Sequence, residues 1–198
     1  MNTIELQIPD VNERLLSING TIDEQLCNTF ITELTKIDTV DIEITRSNIA
    51  KIAALGIEAS QMLLPPIRVL MNSPGGLIYE ALALYDIIED RDDMLCVCSG
   101  KVMSAATFIL LAFPPDKRIA TKNTTFMIHQ PSSFSFGKLK DLEDDVKEVR
   151  RLHKIITDIY IKRSKITKEM LDKNFKEKDD WYFSAKEALK LGLISKIV

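Results

Sequence analysis

The run Met94-Leu-Cys-Val-Cys98 passes through Ser99-Gly100 into Ser104-Ala-Ala-Thr-Phe-Ile-Leu-Leu-Ala112, and no other stretch restricts the fold as tightly. Five consecutive apolar residues read as a buried strand that turns at Ser99-Gly100. The small and apolar residues that follow predict a helix from about Ser104 to Ala112. Ser104 is thereby placed at or near a helix N-terminus, where unsatisfied N–H groups and the positive end of the dipole favour negative charge. An Oγ at that position has two uses. It can cap the helix, or it can act as a nucleophile whose oxyanion is met by the same N–H groups. This stretch alone leaves the choice open.

The remainder of the chain alternates in the same way. Arg14 to Asn19 reads as a strand closed by the turn dipeptide Asn19-Gly20, after an extended or loosely ordered arm over 1–13. Asp23 can cap a helix running to about Lys36, with Leu26, Phe30, Ile31 and Leu34 on one face. Ile49, Ile52, Ala53, Leu55 and Ile57 predict a further helix, which Pro65-Pro66 stops. Next come a short buried strand, Ile67 to Met71, and a helix, Leu77 to Glu89. Strands are predicted near Arg118–Ala120 and Thr125–His129, then a long polar-faced helix from about Leu139 to Lys162. Helices at Lys168–Asn174 and Ser184–Lys190 and a last strand, Leu193–Val198, complete the chain. This alternation argues for an α/β layered domain, and 198 residues suit a single domain with a full core.

Composition narrows the function. A formal charge of -3 supplies no basic field for nucleic acid, and no run approaches the ~20 apolar residues of a membrane span. Met1-Asn-Thr-Ile-Glu5 has neither the basic nor the apolar region of a signal peptide. Cys27, Cys96 and Cys98 cannot all pair with one another, and they fit buried thiols in a reducing, cytoplasmic setting. No Cys/His cluster has zinc-ligand spacing and no Walker motif is present, so no metal or cofactor is expected.

Two more stretches carry chemistry. In Asn72-Ser-Pro-Gly-Gly76 a strand runs straight into Pro-Gly-Gly, which allows a sharp turn and leaves N–H groups with no side chain in front of them. It is either a tight strand-to-helix turn or the source of an oxyanion donor at Gly75, beside the amide of Ala105. In Phe126-Met-Ile-His-Gln-Pro131, His129 ends an apolar strand where active-site loops leave a sheet. The other histidine, His153, falls on the long charged helix and reads as a solvated surface residue. A Ser–His pair needs a carboxylate to hold the imidazole tautomer. Among 29 acidic residues, Asp179 and Asp180, just before Trp181-Tyr-Phe-Ser184, have apolar flanks that can bury one of them, and spacing does not choose between the two.

Taken together, Asn72-Ser-Pro-Gly-Gly76, the Gly100-to-Ala112 segment, Met127-Ile-His-Gln-Pro131 and Asp180-Trp-Tyr-Phe-Ser-Ala185 resemble the proteolytic subunit of the Clp protease, the ClpP family. Ile18-Asn-Gly20 and Glu187-Ala-Leu-Lys-Leu-Gly-Leu-Ile194 extend the resemblance over nearly the whole chain from Arg14 onward. The resemblance implies a serine endopeptidase in which Ser104 is the nucleophile, His129 the general base and Asp180 the orienting carboxylate. Gly75 and Ala105 would then supply the oxyanion-hole amides. It implies a crotonase-like fold of stacked ββα units with a protruding handle helix. It also implies a homo-oligomer of two stacked seven-membered rings that encloses its active sites and degrades unfolded polypeptides. Residues 132–163 resemble the handle segment, which in the family makes contact between rings.

The departures from the family pattern are specific. Around the nucleophile, Val102-Met-Ser-Ala-Ala106 replaces a pattern close to Ala-Ala-Ser-Met-Gly, and Trp181 stands where the family often carries an inter-ring Arg. Ser132-Ser-Phe-Ser-Phe136 takes the place of the usual Gly-Gly after His-Gln-Pro. Region 39–66 is longer than the family's usual link and is expected to be an insertion carrying its own helix. The arm before Arg14 is short, where the family's axial loops dock an AAA+ ATPase, so docking of such a partner is left open. Two alternatives stand beside the peptidase. One is a catalytically silent assembly subunit, or a phage-type peptidase acting without an ATPase; the other is an acyl-CoA enzyme of the same fold class.

Overall fold

Three long parallel strands organise the chain: β1 (Leu15–Ile22), β2 (Ile67–Gly76) and β3 (Met94–Met103). A computed structural model describes residues 5–57, 64–131, 137–176 and 180–198. With β4 (Arg118–Ala120), β5 (Thr125–Ile128), β6 (Trp181–Ser184) and β7 (Lys196–Ile197), these strands form one seven-stranded sheet. Its order is β1-β2-β3-β4-β7, and β5 branches from β3 and carries β6. Only the β5–β6 pair is antiparallel. The branch arises because β3 outruns β4: Cys96 to Cys98 pair with β4, whereas Lys101 to Met103 pair with β5.

The helices follow the strands as connections that pack back on the sheet: α1 (Glu24–Ala53), α2 (Ile78–Glu89), α3 (Ala105–Leu110), α4 (Leu139–Arg163), α5 (Lys168–Lys176) and α6 (Ala185–Lys190). This mixed α/β architecture is the crotonase-like arrangement that the sequence motifs imply. The core lies between the sheet and α2, α3 and the first turns of α1, with Ile18, Val69, Met71, Leu84, Phe108 and Phe126 almost wholly removed from water. Burial of this kind supplies ~1.5–3 kcal/mol for each large apolar side chain. Cys27, Cys96 and Cys98 are all buried free thiols. No helix among the described residues is long and apolar enough to cross a membrane.

Several elements run further than local residue preferences indicate. Asn19-Gly20 does not close the strand: β1 continues to Ile22 with a shift of register between Asn19 and Thr21. Likewise Asn72-Ser-Pro-Gly-Gly76 and Ser99-Gly100 lie within β2 and β3. The Asn72 side chain stitches the two strands together by accepting the Lys101 N–H at 3.2 Å. A β-carbon on Gly100 (φ 61°) would lie 2.8 Å from that same Oδ1, so any other residue would strain the backbone and displace the Asn72 side chain. Turn-forming residues can occupy strands when a neighbouring strand satisfies their backbone groups.

The expectation of a separate helix within 39–66 is corrected. Asp23 caps α1 by accepting the Leu26 N–H at 2.8 Å, and the helix then continues without a break to Ala53, so Ile49 and Ile52 belong to it. Cys27, Phe30 and Leu34 pack its first half on the sheet. Its second half is tied down by polar contacts. Asn48, buried, accepts the Gln7 N–H at 2.9 Å and donates to Gln7 O at 2.6 Å, holding the N-terminal arm. Arg91 grips Asp38 through both terminal nitrogens, at 2.9 and 2.7 Å. Arg14 pairs with Asp41. These partners are remote in sequence, so helical periodicity alone reads two helices where there is one.

The other long helix, α4, has no fully buried residue before Leu152 and then buries Leu152, Ile156, Ile159 and Tyr160. Its first part is laced by surface pairs such as Lys140–Asp144 and Arg151–Glu148, as a projecting helix requires. His153 is not simply a solvated residue, because its ring packs 5.3 Å from that of Phe175 on α5. Ser184 opens α6 with a reciprocal capping box to Glu187. Trp181 to Ser184, where the sequence reads as a loop leading into the Ser184 helix, is β6.

Candidate active site

Ser104 stands at the junction of β3 and α3 with φ 51° and ψ -124°, the one non-glycine residue with positive φ among the described residues. A backbone held in that region is strained by ~1–3 kcal/mol and persists only where its surroundings enforce it. The Ser104 N–H donates to Met127 O at 2.8 Å, which anchors the elbow to β5. The helix-cap use of Ser104 is not realised: no side-chain cap bond forms, and Oγ lies 2.8 Å from His129 Nε2.

Register explains the meeting of these side chains. Met103 pairs with Met127 across β3 and β5, so the residues just beyond, Ser104 and His129, emerge at the same edge of the sheet. Ile128 pairs with Trp181 across the antiparallel β5–β6 ladder, which places the next pair, His129 and Asp180, side by side. His129 Nδ1 lies 3.3 Å from Asp180 Oδ1. That is longer than the ~2.7–2.9 Å of a tight charge-assisted bond. Apolar flanks do not bury the carboxylate; the Asp180 side chain is 48% exposed and that of His129 32%. With a proton on Nδ1 directed at Asp180, Nε2 is left as acceptor for the Ser104 hydroxyl. Asp179, the alternative carboxylate, lies outside the described residues.

Gly75 approaches the same elbow from β2, with φ 97°. Its N–H donates to the buried Ser73 Oγ at 3.0 Å. Ala105, the first residue of α3, has an N–H with no intrahelical acceptor, as helix geometry requires. These two amides flank Ser104, and that of Gly75 is satisfied by a neighbouring hydroxyl.

The short α3 is locked at its far end by two arginines. Arg118, wholly buried on β4, donates to Phe113 O at 2.8 Å, Leu111 O at 2.8 Å and Arg163 O at 2.9 Å. Arg163 adds bonds to Leu111 O at 3.0 Å and Ala112 O at 2.9 Å. Two cations thus meet the carbonyls of the turn that follows α3, and both charges lie near the negative end of the helix dipole. Backbone N–H groups of that turn satisfy Phe108 O, Ile109 O and Leu110 O. Burial, with the nearby Arg163 charge, pulls Arg118 down to about 10, so it is still a cation at neutral pH.

A small cavity of about 20 Å³ opens beside Ser104 and Ala105, between half-buried Ile78 and Pro131 and the buried Phe108, Ile156 and Tyr160. Thr107 Oγ1 donates to Ser104 O at 2.5 Å and takes a hydrogen bond from the Tyr160 hydroxyl. Burial pushes the Tyr160 phenol well above its ordinary range, which keeps it a neutral donor. Sequence reasoning did not find Tyr160, Thr107 or Ser73. The available signals were a hydroxyl three residues after Ser104 in an otherwise apolar helix, and an aromatic on the buried stripe of α4. No cluster of three metal-ligating side chains occurs among the described residues.

The chain belongs to the Clp protease family, whose model matches residues 21–198. A named relative is the ATP-dependent Clp protease proteolytic subunit of Deinococcus radiodurans, 29% identical over 189 residues, which cover 95% of this chain and 81% of the relative.

Proposed function

We propose that this protein is a serine endopeptidase in which Ser104, His129 and Asp180 act as the triad and the Gly75 and Ala105 amides form the oxyanion hole. The observation that carries the reading is the 2.8 Å approach of Ser104 Oγ to His129 Nε2 from an elbow held at positive φ. As Oγ attacks a peptide carbonyl carbon, its proton passes to Nε2, and the carbonyl π-electrons move to oxygen. The Ala105 and Gly75 N–H groups receive that oxyanion, a contribution worth ~10²–10³ in rate for each donor in such sites. Collapse expels the amine, which leaves with the proton from Nε2, and an acyl-Ser104 ester remains. Water then repeats the sequence with the same base, releasing the acid and restoring Ser104. Asp180 accepts the Nδ1 hydrogen bond and stabilises the transient imidazolium. No step needs a metal or cofactor.

The family relationship supports unfolded polypeptides as substrates and a closed homo-oligomer of stacked rings as the working form, with α4 projecting as the handle. An ATPase partner is consistent with the relative from Deinococcus radiodurans, which is a subunit of an ATP-dependent protease. One observation favours a second reading, a silent assembly subunit: the Gly75 N–H is engaged by Ser73 rather than open to a substrate. Labelling with an alkyl fluorophosphonate, read by intact mass beside native mass, separates the two. Labelling of the wild type and not of Ser104→Ala, on a ring-sized particle, supports the peptidase. A folded oligomer that stays unlabelled would make the scaffold reading correct.

A further inference from the structure

The cavity beside Ser104 has a floor that this chain holds in place by a specific polar contact. We infer that Tyr160, pinned by Thr107, makes this enzyme selective for small side chains, of alanine size, on the residue that donates the scissile carbonyl. The inference rests on Ser104 being the nucleophile, as proposed above. A carbonyl attacked by Ser104 Oγ, with its oxygen at the Ala105 amide, must direct its own side chain into the space that adjoins both residues. That space is the cavity between Ile78, Phe108, Ile156 and Tyr160.

At about 20 Å³ the cavity has room for a group the size of a water molecule or a methyl. A leucine or phenylalanine side chain would need the floor to move. Rotation of Tyr160 would open the site in a purely apolar pocket, but here it carries a polar cost. The phenol is buried, and its hydroxyl donates to Thr107 Oγ1, which in turn donates to Ser104 O. Swinging the ring away strands a buried hydroxyl and loosens the support of the Ser104 elbow, and an unpaired buried donor is expensive. The wall that excludes a large side chain is therefore the same group that steadies the nucleophile. Size selection and catalytic geometry are coupled through one pair of residues.

The test uses the full chain and two peptidyl diphenyl phosphonates that differ only in the residue next to phosphorus, alanine-like or phenylalanine-like, with an alkyl fluorophosphonate as reference. Rates of mass gain at Ser104 are the readout. The alanine-like probe should label the wild type at least about 10-fold faster, the scale on which small differences of apolar size are discriminated. Tyr160→Ala should reduce that ratio or invert it. Tyr160→Leu, which keeps an apolar core residue, should do the same if the alanine variant fails to fold. Equal rates for the two probes in the wild type would overturn the inference, as would an unchanged ratio in a folded Tyr160 variant. Reaction of the fluorophosphonate with neither peptidyl probe would overturn it too, while leaving Ser104 a nucleophile. Silence toward all three reagents would instead remove the peptidase reading, and this inference with it.

Discussion

Gly75 and Ser104 are packed so closely that a β-carbon built on the glycine would lie 2.6 Å from Ser104 Cβ. The same atom would also meet Met103 O at 2.8 Å and Ala105 N at 2.9 Å, and these are backbone atoms that cannot step aside. Together with φ 97°, this makes Gly75 the point where two strands and a helix fix the distance between the candidate nucleophile and its oxyanion donors. Gly75→Ala should lower stability by ~1–3 kcal/mol from the strained backbone alone. It should also slow fluorophosphonate labelling by more than about 10²-fold, since the donor must shift. Melting curves and labelling rates on one preparation check both effects.

Ser73 acts on the same donor in the opposite sense. Its Oγ accepts the Gly75 N–H at 3.0 Å, a bond that an incoming oxyanion has to replace. A neutral hydrogen bond of this kind is worth ~0.5–1.5 kcal/mol, so Ser73→Ala should speed acylation by about 2–10-fold. Slower labelling in a folded Ser73→Ala protein would mean that the hydroxyl positions the amide and does not compete for it.

Asp180 reaches His129 at 3.3 Å from a partly solvated position. Water can replace part of what the carboxylate supplies, so the loss should be smaller than for a buried partner. Asp180→Asn should cut the labelling rate by roughly 10²-fold, at the lower end of acid–base contributions, and His129→Ala by more. The ratio of the two rates, measured across pH, checks the order.

Arg118 bridges Phe113, Leu111 and Arg163 through carbonyl contacts that one lysine cannot reproduce. Arg118→Lys should cost about 2–4 kcal/mol, because buried carbonyls lose charged donors and an ammonium is left poorly satisfied. Chemical denaturation gives the stability change. Labelling by fluorophosphonate should fall along with it, since α3 carries Ala105 and follows Ser104.

Glu148 links α4 to α2, accepting the Tyr79 hydroxyl at 2.6 Å and bonds from Arg151 at 2.7 and 2.8 Å. Arg151, and then Tyr79, pull its carboxyl down to about 2. A depressed carboxyl contributes stability in full above its unfolded value, near 4.5, and loses it as pH falls toward about 2. The link should therefore weaken only in acid, across that window, and high salt should weaken it further because it is exposed. Site-resolved titration of Glu148 should show an upward shift in Tyr79→Phe.

Much of the architecture is legible in the sequence. Apolar runs such as Met94 to Cys98 and the cap at Asp23 depend on neighbours close in sequence, so the α/β alternation and the family motifs could be read directly. Local preference failed where distant groups overrode it. Asn19-Gly20 and Asn72-Ser-Pro-Gly-Gly76 have the composition of turns yet sit in strands, because β1, β2 and β3 satisfy one another's backbone. The continuous α1 depends on Gln7, Arg14 and Arg91 meeting residues far along the helix.

Ser104, Gly75, His129 and Asp180 were singled out by the sequence as residue types in the right order. Whether they met was decided elsewhere. Two strand registers, Met103 with Met127 and Ile128 with Trp181, bring Ser104, His129 and Asp180 to one edge, and no periodicity in the chain specifies a register between strands so far apart. The contact of Tyr160 with Thr107 belongs wholly to the tertiary structure. It joins residues 53 positions apart on helices whose apolar stripes, taken singly, indicate only that each is buried.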